Sequence, residues 1–80
     1  MKMEFKFSDK VLEREADIIA SLLSDGYLYV GSIRVDAHVS CYRHRANGNR
    51  VRVEVVQEPS GACISLYRNN RLRKEEHVRD

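Results

Sequence analysis

Tyr42, His44, Arg52 and Tyr67 are the side chains whose types and spacing suit chemistry on a polyanion. Tyrosines set among arginines on a sheet surface can stack unpaired bases and hold their phosphates, as several small β-sheet domains do with single-stranded RNA or DNA. Arg43, Arg45, Arg50, Arg68, Arg71 and Arg73 flank two expected turns. A guanidinium fork grips phosphate or carboxylate bidentately, so these six are the expected phosphate contacts. A second chemistry draws on overlapping residues. His44, Arg52 and Glu54 beside Tyr42 and Tyr67 supply a general acid, a general base and a phosphate clamp, the parts needed to cleave RNA through attack by its own 2′-hydroxyl. That spacing is permissive and unspecific, so the sequence favours a non-enzymatic binding or regulatory protein. A third reading treats the same face as a protein-recognition surface, because tyrosine and arginine are enriched at interface hot spots. An adaptor or inhibitor, including one carried by a phage or mobile element, fits that reading. Cross-strand Tyr and Arg pairs also occur on sheet faces that bind nothing.

Metal and cofactor chemistry find little support. His38, Cys41 and His44 recur every three residues. On a strand that spacing alternates faces and sets the two histidines about 20 Å apart at roughly 3.3 Å per residue. A shared ion needs bonds of about 2 Å. Gly26, Gly31, Gly48 and Gly61 are scattered turn residues with no phosphate loop among them. No cofactor and no metal are expected.

The chain has 80 residues, is 42% apolar and 32% charged, and carries a formal charge of +2. This is enough for one small core and too well patterned for wholesale disorder. The small total hides a gradient: residues 1–33 hold four bases and six acids, while residues 34–80 hold ten bases, nine of them arginine, and six acids. The longest apolar runs, Tyr27 to Val30 and Ile18 to Ala20, fall far short of the roughly 20 residues that span a bilayer. The N-terminus MKMEFKF alternates charge with hydrophobe and lacks the apolar core of an export signal. A cytoplasmic protein with no membrane partner is expected. Cys41 and Cys63 are too few for a disulfide framework. Without such staples, a homodimer is one route to burying more apolar surface.

The elements that must position these residues follow from periodicity. Met1, Met3, Phe5 and Phe7 alternate with charges and read as a first strand. Ser8 or Asp9 then caps a helix over residues 9–25, whose stripe of Val11, Leu12, Ala16, Ile18, Ile19, Leu22 and Leu23 covers a sheet. Gly26 supplies the left-handed residue after it. Tyr27 to Val30 forms a short strand, Gly31-Ser32 a turn or bulge, and residues 33–45 one long strand. Asn47-Gly48-Asn49 turns into Val51, Val53 and Val55, and Pro59-Ser60-Gly61 turns into Ala62, Ile64 and Leu66. After Asn69-Asn70, residues 71–78 form a charged edge strand or a short helix. The expected class is α+β: one amphipathic helix on a mostly antiparallel sheet in the order β-α-β-β-β, with a further edge strand as an extension, all in one domain over residues 1–80.

Register decides which side chains share a face. A three-residue loop over Asn47 to Asn49 pairs Cys41 with Val55. A four-residue loop over Glu58 to Gly61 pairs Val55 with Ile64 and Val53 with Leu66. Cys41 then lies under the helix with the valines. Arg34, Asp36, His38, Ser40, Tyr42 and His44 lie on the opposite face with Arg52, Glu54, Val56, Cys63, Ser65 and Tyr67, and the arginines of both turns gather at one end. Cys41 and Cys63 are expected on opposite faces, beyond disulfide reach.

The stretch LLSDGYLYVGS, followed by Tyr42-Arg43-His44 and a hairpin into VRVEVV, resembles the HicA toxins in outline. Those are small ribonucleases on a double-stranded-RNA-binding scaffold with an Asp-Gly-aromatic turn and a Gly-Ser-His motif. Here Ile33 follows Gly31-Ser32 in place of that histidine, the N-terminal strand is extra, and the segment after Pro59 reads as strand where the family has a helix. The catalytic role does not carry over, and membership does not follow.

Overall fold

The computed structural model of the protein describes residues 7–34 and 38–80. The expected first strand lies outside these residues apart from Phe7, which packs partly buried against the core. Among the described residues the order is α-β-β-β-β-β: helix α1 (Asp9–Ser24), then β1 (Tyr27–Arg34), β2 (His38–His44), β3 (Arg50–Glu58), β4 (Gly61–Arg68) and β5 (Arg71–Arg79). The strands form one antiparallel meander in chain order, so β1 and β5 are its edges.

The helix begins and ends where its signals stand. Ser8 is the N-cap and its Oγ accepts from the Val11 N–H at 3.4 Å. The chain leaves through Asp25 and Gly26, whose φ of +102° favours glycine. The buried stripe is narrower than its apolar residues imply. Val11 and Leu22 are buried and Ile18 and Ile19 pack partly buried, but Leu12 and Leu23 are about half exposed. Glu15 takes a place in the buried row, with Oε2 3.1 Å from His38 Nδ1. That contact lacks hydrogen-bond geometry and is a close ion pair when His38 is protonated. The helix lies against β1, β4 and β5.

Two strand expectations change. The expected long strand over 33–45 is divided: Arg34 pairs with His38, so the chain reverses between them and β2 starts at His38. The β1–β2 register also shifts between Tyr29 and Gly31, which leaves Val30 as an extra residue at the bulge expected nearby. Residues 71–78 resolve as strand, and β5 is a mostly exposed, charged edge.

The β3–β4 register is the expected one, with Val55 opposite Ile64 and Val53 opposite Leu66, across a tighter turn in which Glu58 still pairs with Gly61. Val51, Val53, Val55, Ala62 and Ile64 form the centre of the core. Gly61 holds φ +152°, and a Cβ there runs into the Val78 carbonyl oxygen. Asn69 and Asn70 both take left-handed φ, 51° and 67°, as a two-residue hairpin of primed type requires. The β4–β5 register then shifts: Tyr67 pairs with Leu72 but Leu66 with Lys74, so Arg73 bulges out. That bulge turns Glu76 and Val78 to the helix side. There Arg14 donates to both Glu76 oxygens at 2.8 and 2.9 Å.

Two outcomes test this packing. Gly61→Ala destabilises the fold by about 2 kcal/mol, read by urea denaturation, because it adds left-handed strain and a backbone clash. The hydrogen bonds from Arg14 hold the Glu76 carboxyl below the usual carboxylate range, with its partial burial opposing. A carboxylate lowered in the folded state stabilises above its unfolded pKa and loses that contribution as pH falls through the folded one. Glu76→Gln therefore lowers the thermal midpoint at neutral pH, and the difference from wild type closes in acid.

Candidate functional site

The β2–β3 connection departs from expectation and rearranges the candidate face. Arg43 pairs with Arg50, Tyr42 with Val51 and Cys41 with Arg52. The loop spans residues 45–49 instead of 47–49, and the pairing slips by three residues, an odd number that exchanges the faces of β2. The wider loop is held by His44. Its Nδ1 accepts from the Ala46 and Asn47 N–H groups at 3.1 and 3.4 Å, which assigns the proton to Nε2, and Nε2 donates to the Asp25 carbonyl at 2.8 Å. The Asn49 N–H donates to Asn47 Oδ1 at 2.9 Å. Tyr27 meets the imidazole edge-on at 4.9 Å. A Cβ on Gly26 comes within 2.9 Å of His44 Nε2, so glycine is required there for space as well as φ.

His38, Ser40, Tyr42 and His44 therefore lie on the helix side, where the expected face had them open. Burying them costs less than a buried charge because they find partners. The Tyr42 hydroxyl donates to Ser40 Oγ at 3.2 Å, Tyr29 packs against the Tyr42 ring, and Glu15 faces His38. Burial pushes the Tyr42 phenol up, with the Ser40 contact opposing. Tyr42 and His44 thus leave the candidate site and serve the fold. His44 is on the opposite face from Arg52 and Glu54, so the expected general acid, base and clamp are not brought together. His38 and His44 are likewise separated from Cys41 by the sheet.

The open face holds the remaining expected residues and new ones. Arg52 and Tyr67 pair across β3 and β4, with the guanidinium carbon 4.2 Å over the ring centroid. Arg52 Nε also donates to Glu54 Oε2 at 2.5 Å, and Nη1 to Asn70 Oδ1 at 3.3 Å. It is a fixed plane. Cys41 and Arg43 join this face by the slip. Cys41 and Cys63 are free, half-buried and on the same side, contrary to the expected opposite faces.

Val30, Cys41, Arg43, Arg50, Arg52 and Tyr67 border a shallow groove of about 310 Å³. Arg43 and Arg50 stand directly opposite. The His44 N–H points to Asn49 across β2–β3 at 2.8 Å, and amide directions alternate along a strand, so Arg43/Arg50 is a non-hydrogen-bonded rung. On such a rung the Cα atoms are only about 4.5 Å apart. Arg68 and Arg71 make a second arginine rung on the helix side, Arg45 sits in the β2–β3 loop and Arg73 on the bulge. The two turns meet: the Asn69 N–H donates to the Arg50 carbonyl at 2.8 Å, and Asn69 Oδ1 accepts from the Arg50 N–H at 2.9 Å. Arg43, Arg45, Arg50, Arg68, Arg71 and Arg73 are all exposed. Among the described residues none of them forms an ion pair with a carboxylate.

Farther along the open face stands a cluster that sequence reasoning missed. Cys63 pairs with His77, and Ser65 with Glu75. An unshifted hairpin through Asn69-Asn70 sets Cys63 opposite Glu76 and sends His77 to the helix side. Only the Arg73 bulge reverses this, and no residue type in the segment marks it.

No helix among the described residues is long and apolar enough to cross a membrane. No protein-family model, curated protein or solved structure matches the chain.

Proposed function

We propose that the protein binds single-stranded nucleic acid along the groove of its open sheet face, with the arginine-rich turns as the phosphate-contacting end. The observation that carries this reading is the cross-strand Arg43/Arg50 rung on the open face, at the end of the meander where Arg68/Arg71 forms a second rung on the helix side, none of the four with a carboxylate partner among the described residues. Like charges directly opposite destabilise a sheet, and a run of phosphates removes that repulsion. The Arg52–Tyr67 stack supplies one flat surface for a base. With Tyr42 buried, a single aromatic platform remains on this face among the expected residues. Binding therefore rests mainly on phosphate contacts and shows little sequence preference.

A second reading has its own observation. Leu28, Val30 and Leu72 are 56%, 65% and 50% exposed, and their sheet has its helix on the other side. A protein partner or a second copy that covers these residues uses the same face as a docking surface.

Titration of labelled single-stranded RNA and DNA at about 50 and about 200 mM salt separates the two. The nucleic-acid reading expects affinity to fall steeply with salt, and Arg43→Ser with Arg50→Ser to reduce the log–log salt slope by about 1.4, from about 0.7 per phosphate contact on a single strand. Absence of binding at the lower salt, together with a concentration-dependent dimer in sedimentation, favours the protein reading and overturns the first. A stability measurement adds an independent check. Arg50→Thr relieves the Arg43 repulsion and raises the thermal midpoint by the equivalent of a few tenths of a kcal/mol, while it weakens binding.

A further inference from the structure

The end of the open face away from the arginine groove carries a different chemistry. Cys63 on β4 lies directly opposite His77 on β5, and Glu75 is two residues back on the same side. One ligand atom from each residue, the Cys63 sulfur, an imidazole nitrogen and a Glu75 oxygen, lies within 4.8 Å of the other two. The His77 Nε2 to Glu75 Oε1 distance is 3.5 Å. Around a tetrahedral zinc ion, with bonds of about 2.0–2.3 Å, neighbouring ligand atoms stand roughly 3.3–3.6 Å apart. Small side-chain rotations suffice to close the set.

A carboxylate that orients the imidazole is also in place. Glu58 Oε1 is 2.9 Å from His77 Nδ1, across the strand from which Cys63 projects. Glu58 pairs with Gly61, which has no side chain to block the carboxylate's path over β4 to β5. A carboxylate that accepts the Nδ1 proton fixes the tautomer with Nε2 as the free lone pair and orients the ring, as in many zinc sites. Cys63 Sγ also lies 3.8 Å from Ser65 Oγ. A thiolate, an imidazole and a carboxylate together suit a borderline-soft divalent ion and are a poor set for magnesium or calcium.

We infer that Cys63, His77 and Glu75 form a three-ligand site for a zinc-class divalent ion, with Glu58 as the positioning residue for His77. The Cys63 thiol loses its proton to solvent as the ion binds. The fourth position faces solvent and is open to water. The site is independent of the nucleic-acid reading, since it lies four residues along β4 from Tyr67, about 13 Å at strand spacing.

The test uses the full chain, reduced and freed of metal by chelation, titrated with Co²⁺ and then Zn²⁺. One Co²⁺ binds per chain with a near-ultraviolet thiolate-to-cobalt absorption band that Zn²⁺ abolishes. Cys63→Ser loses the band and Cys41→Ser keeps it. Glu58→Gln weakens binding about tenfold with the band intact. His77→Ala, at an exposed position that leaves the core untouched, weakens binding further. Absence of a thiolate band in the wild type, its persistence in Cys63→Ser, or unchanged affinity in His77→Ala overturns the site.

Discussion

The composition of the open sheet face depends on one imidazole. His44 ties the carbonyl at the end of the helix to two amides of the β2–β3 loop, and in doing so it holds five residues in a loop that the residue types alone make three. Three residues of slip is an odd number, so every side chain of β2 changes sides. Cys41 and Arg43 reach the open face, and Ser40 and Tyr42 go under the helix. Gly26 completes the clasp by leaving room for the ring.

This exchange gives the core an uneven composition. The apolar load rests on Val11 and Leu22 of the helix and on Val51, Val53, Val55, Ala62 and Ile64 of β3 and β4, while β2 contributes a hydrogen-bonded Ser–Tyr pair and the His38–Glu15 contact. A buried polar group with a hydrogen-bond partner costs little, and the Ser40–Tyr42 pair meets that condition, so the slipped register remains compatible with a core. What it leaves outside is a sheet face divided by chemistry. Arginines without carboxylate partners among the described residues crowd the turn end, Arg52 and Tyr67 stack in the middle, and thiol, imidazole and carboxylate meet on β4 and β5. Repulsion between Arg43 and Arg50 is a local conflict of the kind that accompanies binding sites.

The sequence makes legible what local patterning controls. Periodicity and caps locate the helix, a valine run opposite Ile64 and Leu66 sets the β3–β4 register, and the Arg52–Tyr67 pair follows from that register. The Asn69-Asn70 hairpin and the clustering of arginines at one end are readable for the same reason. What stays hidden is set by side chains acting on distant backbone. Residues 33–45 alternate without a Gly or Pro to mark the reversal between Arg34 and His38. His44 looks like a face residue until its three backbone partners are seen, and Glu15 looks solvent-facing until His38 is placed opposite it. Arg73 gives no sign that it will bulge, and on that bulge depends the meeting of Cys63 with His77. In outline the strand after Pro59 separates this chain from the HicA toxins as its residues imply: β4 and β5 stand where that family has a helix.

The β2–β3 register alone puts Arg43 opposite Arg50 on the open face. Cross-strand Hα–Hα nuclear Overhauser effects measure it directly, since opposed residues on non-hydrogen-bonded rungs bring these protons together. Contacts between Cys41 and Arg52 and between Arg43 and Arg50 are the expected result. Contacts between Cys41 and Val55 would contradict it and return Tyr42 and His44 to the open face.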